Sequence, residues 1–366
     1  MNSAVKEDIR RYAGKSLSYL VPLAVTVILL VWLFHKVNFR DVVRTVKEGC
    51  DWWWLLVMMG LTTLSHAIRG IRWGIQLRAA GVPRMPVMRE CVSIFGAYAL
   101  NLVLPRLGEV WRCVYISRRE KVSLSTVVGT DFGDRGSDLV VVLALFLLAV
   151  AVAKSAMDDF LIHYALGRDI RHLVMDPWVW CSLVAVVSAI WSICHFCRRF
   201  RFVEKVNDSL YRMWKGFAVL FTMKGRWAYV FLTLGIWTCY YLQTYVTFQA
   251  FPFTRALTDL PGSYWGLIPG LVVFVFGAFS MAVPSNGGLG PWNVAVMYAL
   301  SLYGISDTQG AAFSMVMWSS QAFGLVLEGI FSAIYISWDN KHNPYINPAA
   351  APDTEYSVTA AVSPQP

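Results

Sequence analysis

Arg106 lies within a Pro105-Arg106-Leu107-Gly108-Glu109 interruption of an otherwise apolar stretch, residues 91–118, and Arg112 follows on the helix beyond it. A guanidinium offers two parallel N–H donors that match a pair of phosphate oxygens, so arginines in this setting suit the phosphodiester of a phospholipid. Glu109 stands three residues before Arg112, a spacing that also allows an internal salt bridge. Downstream, Asp131, Asp134 and Asp138 recur at i, i+3 and i+7, which places three carboxylates on one stripe of a helix. The continuation of that helix, residues 139–153, is wholly apolar, so the stripe must meet water or cations. Arg135 can pair with Asp131 or Asp138. The remaining acidic charge could receive an amino-bearing head group or the arginines of the interruption, or form a plain salt-bridge cluster at the membrane rim.

A second interruption divides residues 264–303. It reads Pro284-Ser285-Asn286-Gly287-Gly288-Leu289-Gly290-Pro291 and leads into Trp292-Asn293. Gly108 and the glycines at 287, 288 and 290 would let a ligand approach the backbone and would offer helix N-terminal N–H groups to an anion. Their structural alternative is tight packing. Near the end of the chain Glu328 is flanked by apolar residues, on a face shared with Gln321 and Gly324. Desolvation of a lone carboxylate favours its neutral form. Glu328 is therefore a candidate for proton coupling, with a hydrogen bond to Thr238, Gln243 or Thr244 as the structural alternative.

The elements that must position these groups are membrane helices. Of 366 residues 57% are apolar and 15% charged, a composition outside the range of soluble domains. Windows long enough to cross the hydrocarbon core fall at 17–35, 52–69, 136–153, 178–196, 228–248 and 311–336. Trp52-Trp53-Trp54, Trp178 with Trp180, and Trp227 mark their interfaces. The expected architecture is an all-α integral membrane protein with six long transmembrane helices plus two Gly/Pro-broken segments. The expected divisions are a basic amino terminus (1–16), one polytopic membrane domain (17–336) and a disordered tail (337–366) rich in Pro, Ala, Ser and Thr.

Basic residues gather in alternate loops. Residues 69–90 hold five arginines and one glutamate, and 197–227 hold eight basic and two acidic residues, whereas 37–51, 154–177 and 249–263 are balanced or nearly so. By the positive-inside rule both termini are cytoplasmic, in the cytoplasmic (inner) membrane. The net charge of +9 thus reports topology, and no nucleic-acid partner is needed to explain it. Seven scattered cysteines argue against a secreted disulfide framework. Cys194 and Cys197 form a C-x-x-C with no second ligand pair, and Gly14-Lys15-Ser16 lacks the rest of a phosphate loop. No metal or cofactor is expected.

Backbone that leaves a helix within lipid strands polar groups unless protein or a wet cavity covers it. Each broken segment can be a re-entrant hairpin or two full crossings, and the hairpin is preferred. The order crossing, hairpin, crossing then occurs twice in opposite orientation, the inverted repeat of many transporters. Proline kinks common to membrane helices are the simpler alternative.

The run NLVLPRLGEVWRCVYISRRE followed by DFGDRGSDL resembles the flippase-like, lysylphosphatidylglycerol synthase transmembrane region family over roughly residues 15–336. The matching positions are Asn101, Leu104, Pro105, Arg106, Gly108, Glu109, Arg112, Arg135 and Asp138. In the second motif Pro284, Gly287, Gly288 and Gly290 match, but Asn286 replaces a proline and Trp292-Asn293 stand where an acid is usual. The resemblance implies an eight-segment membrane domain that handles a modified phospholipid. In the multiple peptide resistance factor that domain is fused to a soluble aminoacyl transferase. No such domain is found in this sequence, so lysylphosphatidylglycerol synthesis is not expected. The favoured function is translocation of a phospholipid or other lipid-linked head group. The expected substrate contacts are Asn101, Pro105, Arg106, Gly108, Glu109, Arg112, Asp134, Arg135, Asp138, Pro284, Gly287, Gly288, Gly290 and Asn293. A membrane-embedded transferase, resting on Asp158, Asp159, His163 and His172, and an accessory subunit of a lipid-modifying enzyme are the alternatives. A second copy of the chain or a lipid-synthesis enzyme are the protein partners to consider.

Overall fold

The computed structural model describes residues 39–153 and 223–343, with scattered single positions elsewhere. The spans expected at 17–35 and 178–196, the C-x-x-C, the Gly14-Lys15-Ser16 element and the Asp158 to His172 cluster lie outside the described residues. The described residues are helical and contain no strand. They form α1 (Phe39–Gly49), α2 (Trp52–Ala79), α3 (Val87–Val103), α4 (Leu107–Arg119), α5 (Leu124–Val152), α6 (Arg226–Phe248), α7 (Leu267–Ser280), α8 (Pro291–Ser301) and α9 (Asp307–His342), with short helical turns between.

Three of these, α2, α5 and α9, are long and apolar enough to cross a membrane. Each outruns the window read from the sequence. The Asp51 side chain caps α2 by accepting from the Trp53 N–H. The helix then continues ten residues past Arg69, where the apolar window closed. α9 opens on a Ser306–Gln309 capping box and runs to His342, six residues beyond the expected boundary at 336.

Polar residues in α2 form a stripe instead of an end. Thr62, Ser65, His66, Arg69, Arg72 and Gln76 are all buried, at the three- and four-residue spacing of a single helix face. Apolar cores close the stripe at both ends. Leu55 and Met58 join a cluster with Phe248, Phe313 and Met317, and Trp73 and Leu77 join another with Ile94, Ile116 and Val127. α5 repeats the pattern, with Val127 in the second core, Ala149 in the first and its carboxylates between. A belt of buried charge thus separates two dry cores.

The broken segments are both helical hairpins. In the first, Leu104 adopts the extended backbone that precedes proline, and Pro105 removes the N–H needed to continue α3. α4 then runs back, so that Arg89 near the start of α3 bonds Glu120 beyond the end of α4 at 2.8 Å. Arg89 and Arg119 both reach Asp339 of α9 at 3.0 Å. Gly70 and Gly74 let α2 lie against this hairpin, because a Cβ at Gly70 would sit 2.8 Å from the Cys91 Cα.

In the second hairpin α7 and α8 pack through Phe276 on Tyr298, with ring centroids 6.0 Å apart. Its base lies at the opposite end of α9, where a Cβ on Gly310 would meet Met297 at 3.1 Å. The hairpins therefore approach from opposite ends of α9 and meet at their tips. The Asn286 side chain donates to the Val103 carbonyl at 3.0 Å. Trp318 Nε1 of α9 donates to the Gly287 carbonyl at 2.8 Å.

Candidate functional site

Three helices, α2, α4 and α5, supply the charged belt. Arg69 donates to Asp134 and Asp138 at 3.1 and 2.6 Å. Arg72 donates to the other oxygens of the same carboxylates at 2.5 and 2.9 Å. Arg112 of α4 pairs with Asp131 and lies 3.5 Å from Asp134, with its guanidinium 4.5 Å from the centroid of the Trp73 ring. Three arginines thus neutralise three carboxylates, binding α2 and α4 to α5, and Arg72 also reaches Thr233 of α6 at 3.1 Å.

These pairings correct several expectations. Arg69 and Arg72 are not loop charges but lie within α2; of the five arginines of residues 69–90 only Arg84 lies between α2 and α3, with Arg78 in the last turn of α2 and Arg89 in the first turn of α3. Glu109 does not pair with Arg112, and Arg135 bonds neither Asp131 nor Asp138. Instead Arg135 reaches Glu109 at 2.5 Å. Arg112 is buried within the network and does not line the large cavity described below.

Asn101 holds the first break closed. Its Oδ1 accepts from the Gly108 N–H at 2.8 Å and its Nδ2 donates to Glu109 at 3.2 Å. Glu109 in turn carries Arg135. A Cβ on Gly108 would lie 1.9 Å from the Ala97 carbonyl oxygen, so the helices can approach this closely only without a side chain there. Gly108→Ala is accordingly expected to destabilise the fold by about 1–3 kcal/mol through overpacking, seen as a lower melting temperature in detergent.

In the second break Gly287, Gly288 and Gly290 all have positive φ, backbone that other residues adopt only with strain. Asn293 Oδ1 accepts from the Gly290 N–H at 3.1 Å and so caps α8. Neither Gly290 nor Asn293 lines the cavity. Asn293→Ala is expected to cost about 1 kcal/mol as a lost cap and to leave lipid handling intact, which thermal stability and exchange measurements on the same preparation would separate.

Between the hairpin tips lies a cavity of about 840 Å³. Pro105, Arg106 and Glu109 line it from the first break, and Pro284, Gly287 and Gly288 from the second. Asn101, Arg135 and Asp138 also reach its wall, whereas Asp134 stands behind it. Phe132, Trp237, Phe274, Trp292 and Trp318 make much of the wall apolar. This combination of apolar surface with a few convergent polar groups is that of a ligand site.

Arg106 stands apart from every other charge in this cavity. It is exposed, it occupies the left-handed region with φ 62°, and it has no ion-pair partner among the described residues. A non-glycine residue held there is uncommon and recurs at functional sites. Among the described residues no group of three or more His, Cys, Asp and Glu side chains is arranged to hold a metal.

The model of the lysylphosphatidylglycerol synthase TM region family matches residues 19–327. The chain belongs to that family. No curated protein and no solved structure matches it. The match spans both breaks, the belt and most of α9. A membrane protein of this family with a lipid-related role accords with the apolar helices α2, α5 and α9.

Two groups escaped the sequence reading. The first is the Arg69–Arg72 pair. The second is His66, whose Nδ1 lies 2.8 Å from Glu328 Oε2, with both side chains buried. Thr238, Gln243 and Thr244 are not its bonding partners, and Gln243 instead bonds Gln321 at 3.0 Å. The signal for both was the polar stripe of α2, which complements the carboxylate stripe of α5 in spacing.

Proposed function

We propose that this lysylphosphatidylglycerol synthase TM region family member translocates a phospholipid or other lipid-linked anionic head group across the cytoplasmic membrane. The observation that carries the proposal is Arg106, a guanidinium with no ion-pair partner among the described residues, on the wall of a cavity formed where two helix breaks meet. Charges at membrane depth are costly and are normally paired or turned to water. One left free beside an apolar wall suits a ligand that brings an anion and acyl chains together. The phosphodiester oxygens would take the guanidinium and the chains would lie along Trp237, Phe274 and Trp318.

In this proposal Arg135, Glu109 and Asn101 hold the first tip in position, Asp134 and Arg112 hold the wall behind it, and Gly287 and Gly288 form the second tip. The opposed hairpins belong to the two crossing–hairpin–crossing halves of an inverted repeat, and head groups gain access by rocking of one half against the other. Both chain termini face the cytoplasm, on the strength of the basic loops.

Reconstitution of the purified chain in liposomes with fluorescent phospholipids tests the proposal, with leaflet exchange and covalent product scored together. Exchange above protein-free liposomes without new product is the expected result. A new lipid product without exchange would support the transferase reading, and neither would support an accessory role.

A further inference from the structure

We propose, building on the translocation reading above, that the cavity takes up its anionic head group together with one proton, which His66 and Glu328 hold between them. His66 lines the cavity and Glu328 stands directly behind it on α9. Glu328 is the sole charged residue of α9 between Asp307 and Asp339. Its Oε2 meets His66 Nδ1 at 2.8 Å, while its Oε1 is buried with no hydrogen-bond partner. A buried acceptor left unpaired is costly, and imidazole is the side chain whose charge ordinarily changes near neutral pH.

The surroundings connect this pair to the head-group site. The imidazole stacks on Tyr98 of α3 with ring centroids 4.3 Å apart. The Tyr98 hydroxyl lies 3.4 Å from that of Tyr240 on α6, which accepts from Arg69 Nε at 3.4 Å. Among the described residues the titratable and charged groups next to the pair are thus Tyr98, Tyr240 and Arg69, with Asp138 of α5 held behind Arg69 and Arg135 of α5 beyond Tyr98.

Charge balance gives the direction of coupling. The belt of Arg69, Arg72 and Arg112 with Asp131, Asp134 and Asp138 is neutral, and so is the Glu109–Arg135 pair. Arg106 contributes one positive charge, and neutral His66 beside ionised Glu328 contributes one negative charge. Without the proton the site has no net charge to offer an anion. With it the site carries +1, concentrated on Arg106. Proton and head group therefore favour one another's binding, and by linkage each raises the affinity for the other equally. The proton comes from water or buffer and returns there when the head group leaves, and no bond within the lipid changes.

Calorimetry on the full chain in detergent tests this, with short-chain phosphatidylglycerol as probe at pH 8 in HEPES and in Tris. The two buffers differ in ionisation heat, so the difference in binding heat counts protons. The expected result is an uptake approaching about one proton per lipid, with apparent affinity falling up to about tenfold for each pH unit raised. Glu328→Gln should bind the lipid with no proton uptake and little pH dependence. Binding by the wild-type chain with equal heats in both buffers would overturn the proton inference and leave translocation standing. No binding in either buffer would overturn both. The wild-type comparison decides the matter even if Glu328→Gln does not fold.

Discussion

Replacing Asp134 with alanine is expected to lower the stability of the folded chain by about 3–5 kcal/mol, the cost of stranding buried charge by removing one partner. Asp134 is fully buried. It is approached by Arg69, Arg72 and Arg112 from two helices, so its loss leaves three arginines facing only Asp131 and Asp138. Asp134→Asn keeps the shape without the charge and is expected to fall in the same direction. Replacing whole pairs with apolar residues of similar volume should recover much of the loss, because the desolvation cost disappears with the charges. Unfolding by SDS titrated into mixed micelles would measure the series. A wild-type-like Asp134→Ala would mean that the belt contributes little to holding α2 and α4 on α5.

Arg106→Ala is expected to act in the opposite way, slowing lipid exchange by about 10- to 150-fold with folding intact. The range follows from a hydrogen bond to a charged group, worth about 1.5–3 kcal/mol, at a factor of ten for each 1.4 kcal/mol. No internal pairing is lost, since Arg106 has none among the described residues. Arg106→Gly sharpens the test. Glycine adopts φ 62° without the strain that other residues meet there, so this variant should be at least as stable as wild type and equally impaired in exchange. If Arg106→Gly exchanged lipid at the wild-type rate, the guanidinium would have no part in head-group binding.

The two variants also mark where sequence and structure part company. Both breaks were legible, because a proline withholds the N–H that the next helical turn requires and Gly-Gly-x-Gly cannot sustain a helix against lipid. The carboxylate stripe on α5 was legible from its i, i+3, i+7 spacing. Periodicity identifies residues that share a face, however, and carries no information on which neighbour they meet. Arg69 and Arg72 were therefore counted as loop charges, since a hydropathy window closes at the first arginine whether the helix ends there or turns that arginine inward.

The same limit explains Glu109 and Arg112. Their three-residue spacing permits a local pair, but Asn101 across the break draws Glu109 toward Arg135, and α5 offers Arg112 two carboxylates. His66 illustrates a further gap. The polar stripe of α2 marks the face that His66 shares but not the group it meets, and its partner lies 262 residues away. Only the packing of α2 on α9 could reveal the pair.

The account depends on a lipid head group entering the space between the hairpin tips and meeting Arg106. Trp318 lines that space and bonds the second tip, so a photoreactive phenylalanine analogue in its place reports directly on what enters. Irradiation in phospholipid membranes should produce a phospholipid adduct that mass spectrometry identifies, and Arg106→Ala in the same chain should abolish it. An adduct of equal yield without Arg106, or none in either chain, would contradict the claim.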